Sequence, residues 1–231
     1  MTYGIGEAVL AERLSGFESQ LPSEIKLAYL PAYGIVKLRL TAKGSDRNVL
    51  EKLMTENTEL LYKTIPEAIF AEDEDTFEIV IGRLLREKNL TISTAESCTG
   101  GKIAQLITSV PGSSAYFKGS VVAYDNSIKT SVLGVSDDNI KCYGAVSKEV
   151  VEQMSEGVRR LLKTDYSIAT SGIAGPDGGS EDKPVGTVWI SVSSEKGTVS
   201  EKYIYGNDRN TTINRFAVAA LNLARKQIIR H

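Results

Sequence analysis

A chain of 231 residues, 42% hydrophobic and 24% charged, is long enough for one large or two modest domains with full cores. No run of 18 apolar residues occurs, and MTYGIGEAVL lacks a basic segment followed by an apolar one, so neither a membrane span nor a signal peptide is expected and the cytoplasm is the default location. Residues 1–85 carry nine Lys and Arg against fourteen Asp and Glu, and the remainder 18 against 15, so neither part has the positive balance of a nucleic-acid surface.

In chain order, GIGEAVLAERL reads as a short helix, and IKLAYLP and IVKLRLTAKG as two alternating strands around AYG. Asp46 is placed to cap a second helix, RNVLEKLMTENTELLYKTI. The acidic stretch AEDEDT interrupts this patterning. It sets a domain boundary, giving a small α+β domain over 1–74 and a second domain over 75–231. After it, FEIVIGRLLREKNL places Phe77, Val80, Ile81, Leu84 and Leu85 on one helical face. Strand-like and helical segments then alternate: TISTA, GGKIAQLITSV, GSVVAYD, NSIKTSVLG, SKEVVEQMSEGVRRLLK, DYSIATSG, TVWISVSS, VSEKYIYG and a last helix from about Thr211 to Ile229. In the helix SKEVVEQMSEGVRRLLK, Val150, Val151, Met154, Val158, Leu161 and Leu162 recur at three- and four-residue intervals. The alternation predicts a three-layer α/β/α domain, and the tight SEKGT connection makes its sheet mixed rather than all parallel.

Three segments carry chemistry. TAESCTGG ends a strand and opens a helix whose first N–H groups lack internal partners. That turn suits either a nucleophile with an oxyanion hole or a phosphate. The plainer reading is that Ser97 or Thr99 only caps the helix, and Cys98 is a small packed residue. YDNSIK offers Tyr124, Asn126 and Lys129 at the end of a strand, where ligand crevices of α/β sheets lie. The two cysteines, Cys98 and Cys142, lack metal or redox spacing, and the one histidine, His231, is the last residue. A histidine triad is therefore excluded, and a neutral lysine is the most economical base for a serine. Its pKa must fall by roughly 3 units from about 10.4 to act near neutrality, which requires burial or a cationic neighbour. The third segment, SGIAGPDGGSEDKPVGT, is a long glycine-rich loop of the kind that binds something. Its backbone amides suit a phosphate or ribose, with Lys183 supplying charge. No metal site is expected from Asp177, Glu181 and Asp182, which lack a patterned calcium loop.

AESCTGG, PGSSAYFKGSVVAYDNSIK, GAVS and SGIAGPDGGSEDKPVGTVW, in this order and spacing, resemble the C-terminal domain of the CinA (competence/damage-inducible) family, the nicotinamide mononucleotide (NMN) amidohydrolases. The similarity covers about residues 77–229. Residues 4–45 look like the KH-like middle domain of full-length members. The chain departs from that pattern in having nothing that corresponds to their molybdopterin-binding-like domain, so the associated ADP-ribose pyrophosphatase activity is expected to be absent. The KH-like part also has no G-x-x-G and is net acidic, so no nucleic-acid partner is expected.

The resemblance implies hydrolysis of the NMN carboxamide to nicotinate mononucleotide and ammonia, in pyridine nucleotide salvage, without a cofactor or metal. Ser97 would attack, with Thr99 kept as the other candidate hydroxyl, and Lys129 would take the proton, through the Tyr124 hydroxyl or directly. N–H groups near Thr99, Gly100 and Gly101 would hold the oxyanion. Asn126, Gly175, Gly178, Gly179, Lys183 and Arg209 complete the expected substrate-binding set, Lys183 or Arg209 for the phosphate. A homodimer is expected by family likeness. The competing reading is a non-catalytic nucleotide-binding or interaction module of a competence or DNA-damage response.

Overall fold

The computed structural model describes residues 1–32, 34–73, 75–206 and 208–230. Tyr33 of the AYG turn, Glu74 at the expected boundary, Asn207 and the terminal His231 lie outside the described residues. The chain divides into two compact units, Met1–Thr76 and Phe77–His231.

The first unit runs β1 (Thr2–Tyr3), α1 (Glu7–Ser19), β2 (Ile25–Ala32), β3 (Ile35–Ala42) and α2 (Arg47–Thr64). Its strands pair antiparallel in the order β1-β3-β2. The alternation in IKLAYLP and IVKLRL produces the β2–β3 pair, in register from Ile25 opposite Ala42 to Ala32 opposite Ile35. Asp46 caps α2 as its position predicts, its carboxylate accepting the N–H groups of Asn48 at 2.9 Å and Val49 at 3.3 Å. Leu10, Leu14 and Phe17 of α1 close on Val36 of β3 and Leu61 of α2 to form the core. The edge strand β1 has two residues, too few for alternation to announce it.

The second unit runs α3 (Phe77–Glu87), β4 (Ile92–Glu96), α4 (Lys102–Thr108), β5 (Phe117–Val122), α5 (Asn126–Ser131), α6 (Asp137–Tyr143), α7 (Lys148–Leu162), β6 (Tyr166–Gly172), β7 (Thr187–Ser194), β8 (Gly197–Ile204) and α8 (Arg209–Arg230). The sheet order is β5-β4-β6-β7-β8. β4 is parallel to both β5 and β6, whereas β7 and β8 run antiparallel, so the sheet is mixed. α7 covers one face through Val150, Val151, Met154 and Val158, which meet Ala95 of β4 and Ala169 of β6. Leu161, grouped with that face by spacing, is exposed. All of β4 and nearly all of β6 are buried, which requires cover on both sides. The second cover is α8, which also packs on α3 and α4. The second unit is thus a three-layer α/β/α unit, and it follows the small α+β unit in the chain.

The order of connections positions the site. From β4 the chain passes through α4 to β5 on one side, then through α7 to β6 on the other side of β4. The winding therefore reverses at β4. The loops leaving β4, β5 and β6 diverge at the carboxyl ends of the strands, where open α/β sheets hold their ligands.

Candidate active site

β4 ends at Glu96, whose side chain is 0% exposed, and the chain turns through residues 97–101 into α4. Two bonds fix this turn: Ser97 N–H donates to Thr170 O at 3.0 Å, and Gly100 N–H to Ser97 O at 3.1 Å. Gly100 and Gly101 adopt φ of 59° and 98°, left-handed values that glycine takes without strain. The Glu96 carboxylate reaches forward and accepts the N–H groups of Gly101 at 3.0 Å, Ile103 at 3.0 Å and Ala104 at 2.8 Å. The protein's own carboxylate thus occupies the positive end of α4. This corrects the expectation that Gly100 and Gly101 offer open oxyanion donors, because both N–H groups are engaged. Glu96 itself was missed. Its signal is an acidic residue closing an apolar strand, followed by small residues and a helix start.

Of the two candidate hydroxyls, Ser97 faces a cleft of about 290 Å³ and Thr99 does not. Thr99 is turned inward, its hydroxyl 2.7 Å from that of Thr170. Tyr124, Asn126 and Lys129 line the same cleft as Ser97, and Gly175, Gly178 and Arg209 line it from the glycine-rich loop and the start of α8. Cys98 and Asp177 also face it. Gly100 and Gly101 do not line it, and neither do Gly179 and Lys183. Gly179 lies off the cleft, where a Cβ would stand 2.7 Å from the Val185 backbone nitrogen, so it is glycine because the loop folds back on itself. Lys183 donates to Tyr143 O at 2.6 Å instead of projecting toward a ligand.

Lys129 is 1% exposed. The Asp125 side chain caps the short helix that carries it, accepting Ser127 N–H at 2.8 Å. The Lys129 Nζ donates to Ala123 O at 2.9 Å and to Tyr124 O at 3.2 Å. Burial holds the amine's pKa below its ordinary value, partly offset by the attraction of Asp125 and then Cys98. A neutral amine has two N–H bonds; when these two carbonyls accept both, its lone pair is left for a proton from another direction. No hydrogen bond joins Lys129 Nζ to Ser97 Oγ in this structure.

The Tyr124 relay is corrected in the same way. Tyr124 is 63% exposed, and its hydroxyl accepts from Arg209 Nη2 at 3.3 Å while Arg209 Nη1 donates to Gly175 O at 2.6 Å. Tyr124 reaches Lys129 through its carbonyl, not its hydroxyl. Cys98 is buried beside Ser97, and burial pushes its thiol up to about 12, so it stays protonated at neutral pH. Among the described residues, no group of three or more His, Cys, Asp or Glu side chains is gathered to hold a metal ion. Among them too, no helix is long and apolar enough to cross a membrane.

Two family models match this chain: the CinA C-terminal domain over residues 74–228 and the damage-inducible protein CinA KH domain over residues 1–71. A CinA-like protein of Flavobacterium psychrophilum is 48% identical over 232 residues, covering 100% of this chain and 56% of that protein. One from Cytophaga hutchinsonii is 46% identical, covering 98% of this chain and 54% of its own length. The chain thus spans about half the length of the curated relatives it matches. The crystal structure of the competence/damage inducible protein CihA from Agrobacterium tumefaciens superposes with a TM-score of 0.62 at 33% identity, over 68% of this chain and 100% of that one.

Proposed function

This chain belongs to the CinA family, and from that premise and the chemistry of the cleft we propose that it hydrolyses the carboxamide of NMN to nicotinate mononucleotide and ammonia. The observation that carries the reading is a fully buried lysine with a lowered pKa lining the same cleft as Ser97, the serine of the AESCTGG turn.

Ser97 Oγ adds to the carboxamide carbon and its proton passes to the neutral Lys129 amine, directly or through one water. The tetrahedral intermediate collapses as the Lys129 ammonium returns that proton to the departing nitrogen, releasing ammonia and leaving a nicotinate ester on Ser97. Water then attacks the ester, Lys129 takes its proton, and the serine is restored with that proton. With Gly100 and Gly101 engaged, the oxyanion falls to the Cys98 amide, the first after the nucleophile, and to the Asn126 carboxamide. Both residues line the cleft. Donors of this kind contribute about 3–4 kcal/mol each. Arg209, which also lines the cleft, is the cation for the substrate's phosphate. The cationic pyridine ring withdraws electrons from the carboxamide and assists the attack.

Ammonia release from NMN by the intact chain tests the reading, with Ser97→Ala and Lys129→Ala alongside. Each variant is expected to lose at least about a thousandfold in kcat. Undiminished turnover in both would remove this mechanism. Saturable binding of NMN without ammonia release from the unaltered chain would instead favour a non-catalytic nucleotide binder.

A further inference from the structure

Lys183 is the one cation of the glycine-rich loop, and the structure gives that charge a partner inside the protein. Its Nζ donates to Tyr143 O at 2.6 Å. Tyr143 is the last residue of α6, so the ammonium sits at the negative end of a helix and on a carbonyl that has no intrahelical donor. Gly144 follows with φ 78°, and a Cβ there would stand 3.2 Å from Lys183 Nζ. Glycine is thus needed at 144 for its backbone and leaves space for the ammonium.

The loop is shaped to aim this side chain. Ser180 N–H donates to Lys183 O at 2.9 Å and Lys183 N–H to Ser180 Oγ at 3.2 Å, closing a tight turn. The tether therefore joins two segments that line the cleft and form banks of it. One bank is the segment after α6, where Ala145 and Val146 line the cleft; the other is the loop, where Asp177 and Gly178 line it. Ser171 fixes the first bank to β6, its hydroxyl donating to Ala145 O at 2.7 Å. Arg209 holds the near end of the loop through Gly175 O.

We propose that Lys183 is a positioning residue, a latch that ties the glycine-rich loop to the end of α6 and keeps Asp177 and Gly178 on the cleft, setting substrate affinity without touching the reacting atoms. The kinetic consequence rests on the amidohydrolase reading; the latch itself does not. The latch acts on how the loop closes the cleft and leaves Ser97 and Lys129 in place, so its loss falls on KM and spares kcat.

The experiment has two arms on the full chain. In NMN turnover, Lys183→Ala is expected to raise KM about tenfold with kcat within about twofold, and Lys183→Arg to restore KM. In hydrogen exchange without added nucleotide, Lys183→Ala is expected to speed exchange at residues 173–186 and 144–147 at least about tenfold, with the sheet strands unchanged. Equal exchange in wild type and Lys183→Ala overturns the latch whether or not NMN is a substrate. An accelerated loop with no ammonia from the unaltered chain upholds the latch and removes the amidohydrolase reading. A fall in kcat at constant KM overturns the positioning role.

Discussion

Replacing Glu96 with alanine removes the acceptor of three backbone N–H groups, one of them fully buried, at the start of α4. A buried donor left without a partner costs about 1–3 kcal/mol, and three on one carboxylate are not fully additive. The attraction between a carboxylate and a helix N-terminus adds about 1 kcal/mol. The expected loss for Glu96→Ala is about 4 kcal/mol, or roughly 12 °C in the melting of a unit of this size. Glu96→Gln keeps one oxygen to accept but sets an NH2 against the remaining donor, for an expected loss of about 2 kcal/mol. Trp189, the single tryptophan, lies on β7 and reports on the second unit alone. Urea titration followed by its fluorescence therefore isolates the unit that carries the site. A Glu96→Ala unfolding free energy within about 1 kcal/mol of wild type would refute the capping role and the argument that this carboxylate, not a ligand, neutralises the end of α4.

If Lys129 is the base, kcat/KM rises with pH as its ammonium deprotonates, along a limb centred below the ordinary value of 10.5. That limb disappears in the residual activity of Lys129→Met. The same shift acts on stability: between the folded and unfolded pKa values the unfolded chain binds the extra proton, so unfolding free energy climbs with pH through that window and flattens in Lys129→Met, as pH-dependent urea titrations will read. Gly157→Ala drives a Cβ into the Leu133 carbonyl across the close approach of α7, and the second unit is expected to lose about 3 kcal/mol or more in the same fluorescence assay. Of the two free thiols, exposed Cys142 reacts with a thiol reagent at pH 8 while buried Cys98, pushed up to about 12, reacts only on unfolding; two fast equivalents would contradict that environment.

Local rules made much of the fold legible. The β2 and β3 alternation, the Asp46 cap and the apolar face of α7 each depend on residues a few positions apart, and they formed where spacing put them except at Leu161, which is exposed. α6 escaped notice, although Ser136 caps it and Asp137 and Asp138 fill its first turn, because seven residues with little apolar periodicity give a weak signal. The cleft membership of Ser97 and Lys129 follows from their places after strand ends, whereas Arg209 entered only through the family resemblance. The failures were of partner, not of place. Glu96 caps a helix from up to eight residues upstream, outside the usual capping window. Lys183 and the Tyr124 hydroxyl are engaged across 40 and 85 residues, separations at which no sequence spacing announces a hydrogen bond.

The strand that leads into Ser97 is closed by residues made much later on the ribosome. Thr91 N–H and its hydroxyl both donate to the Asp165 carboxylate at 2.7 Å, 74 positions downstream, and Ser97 itself is pinned by Thr170. During synthesis the AESCTGG segment emerges long before the strand that fixes it, so this centre matures at the end of folding, through a distant closure that slows assembly. Nascent chains stopped before β6 will contain the serine, the lysine and the turn between them, yet lack the geometry that gives those groups any use.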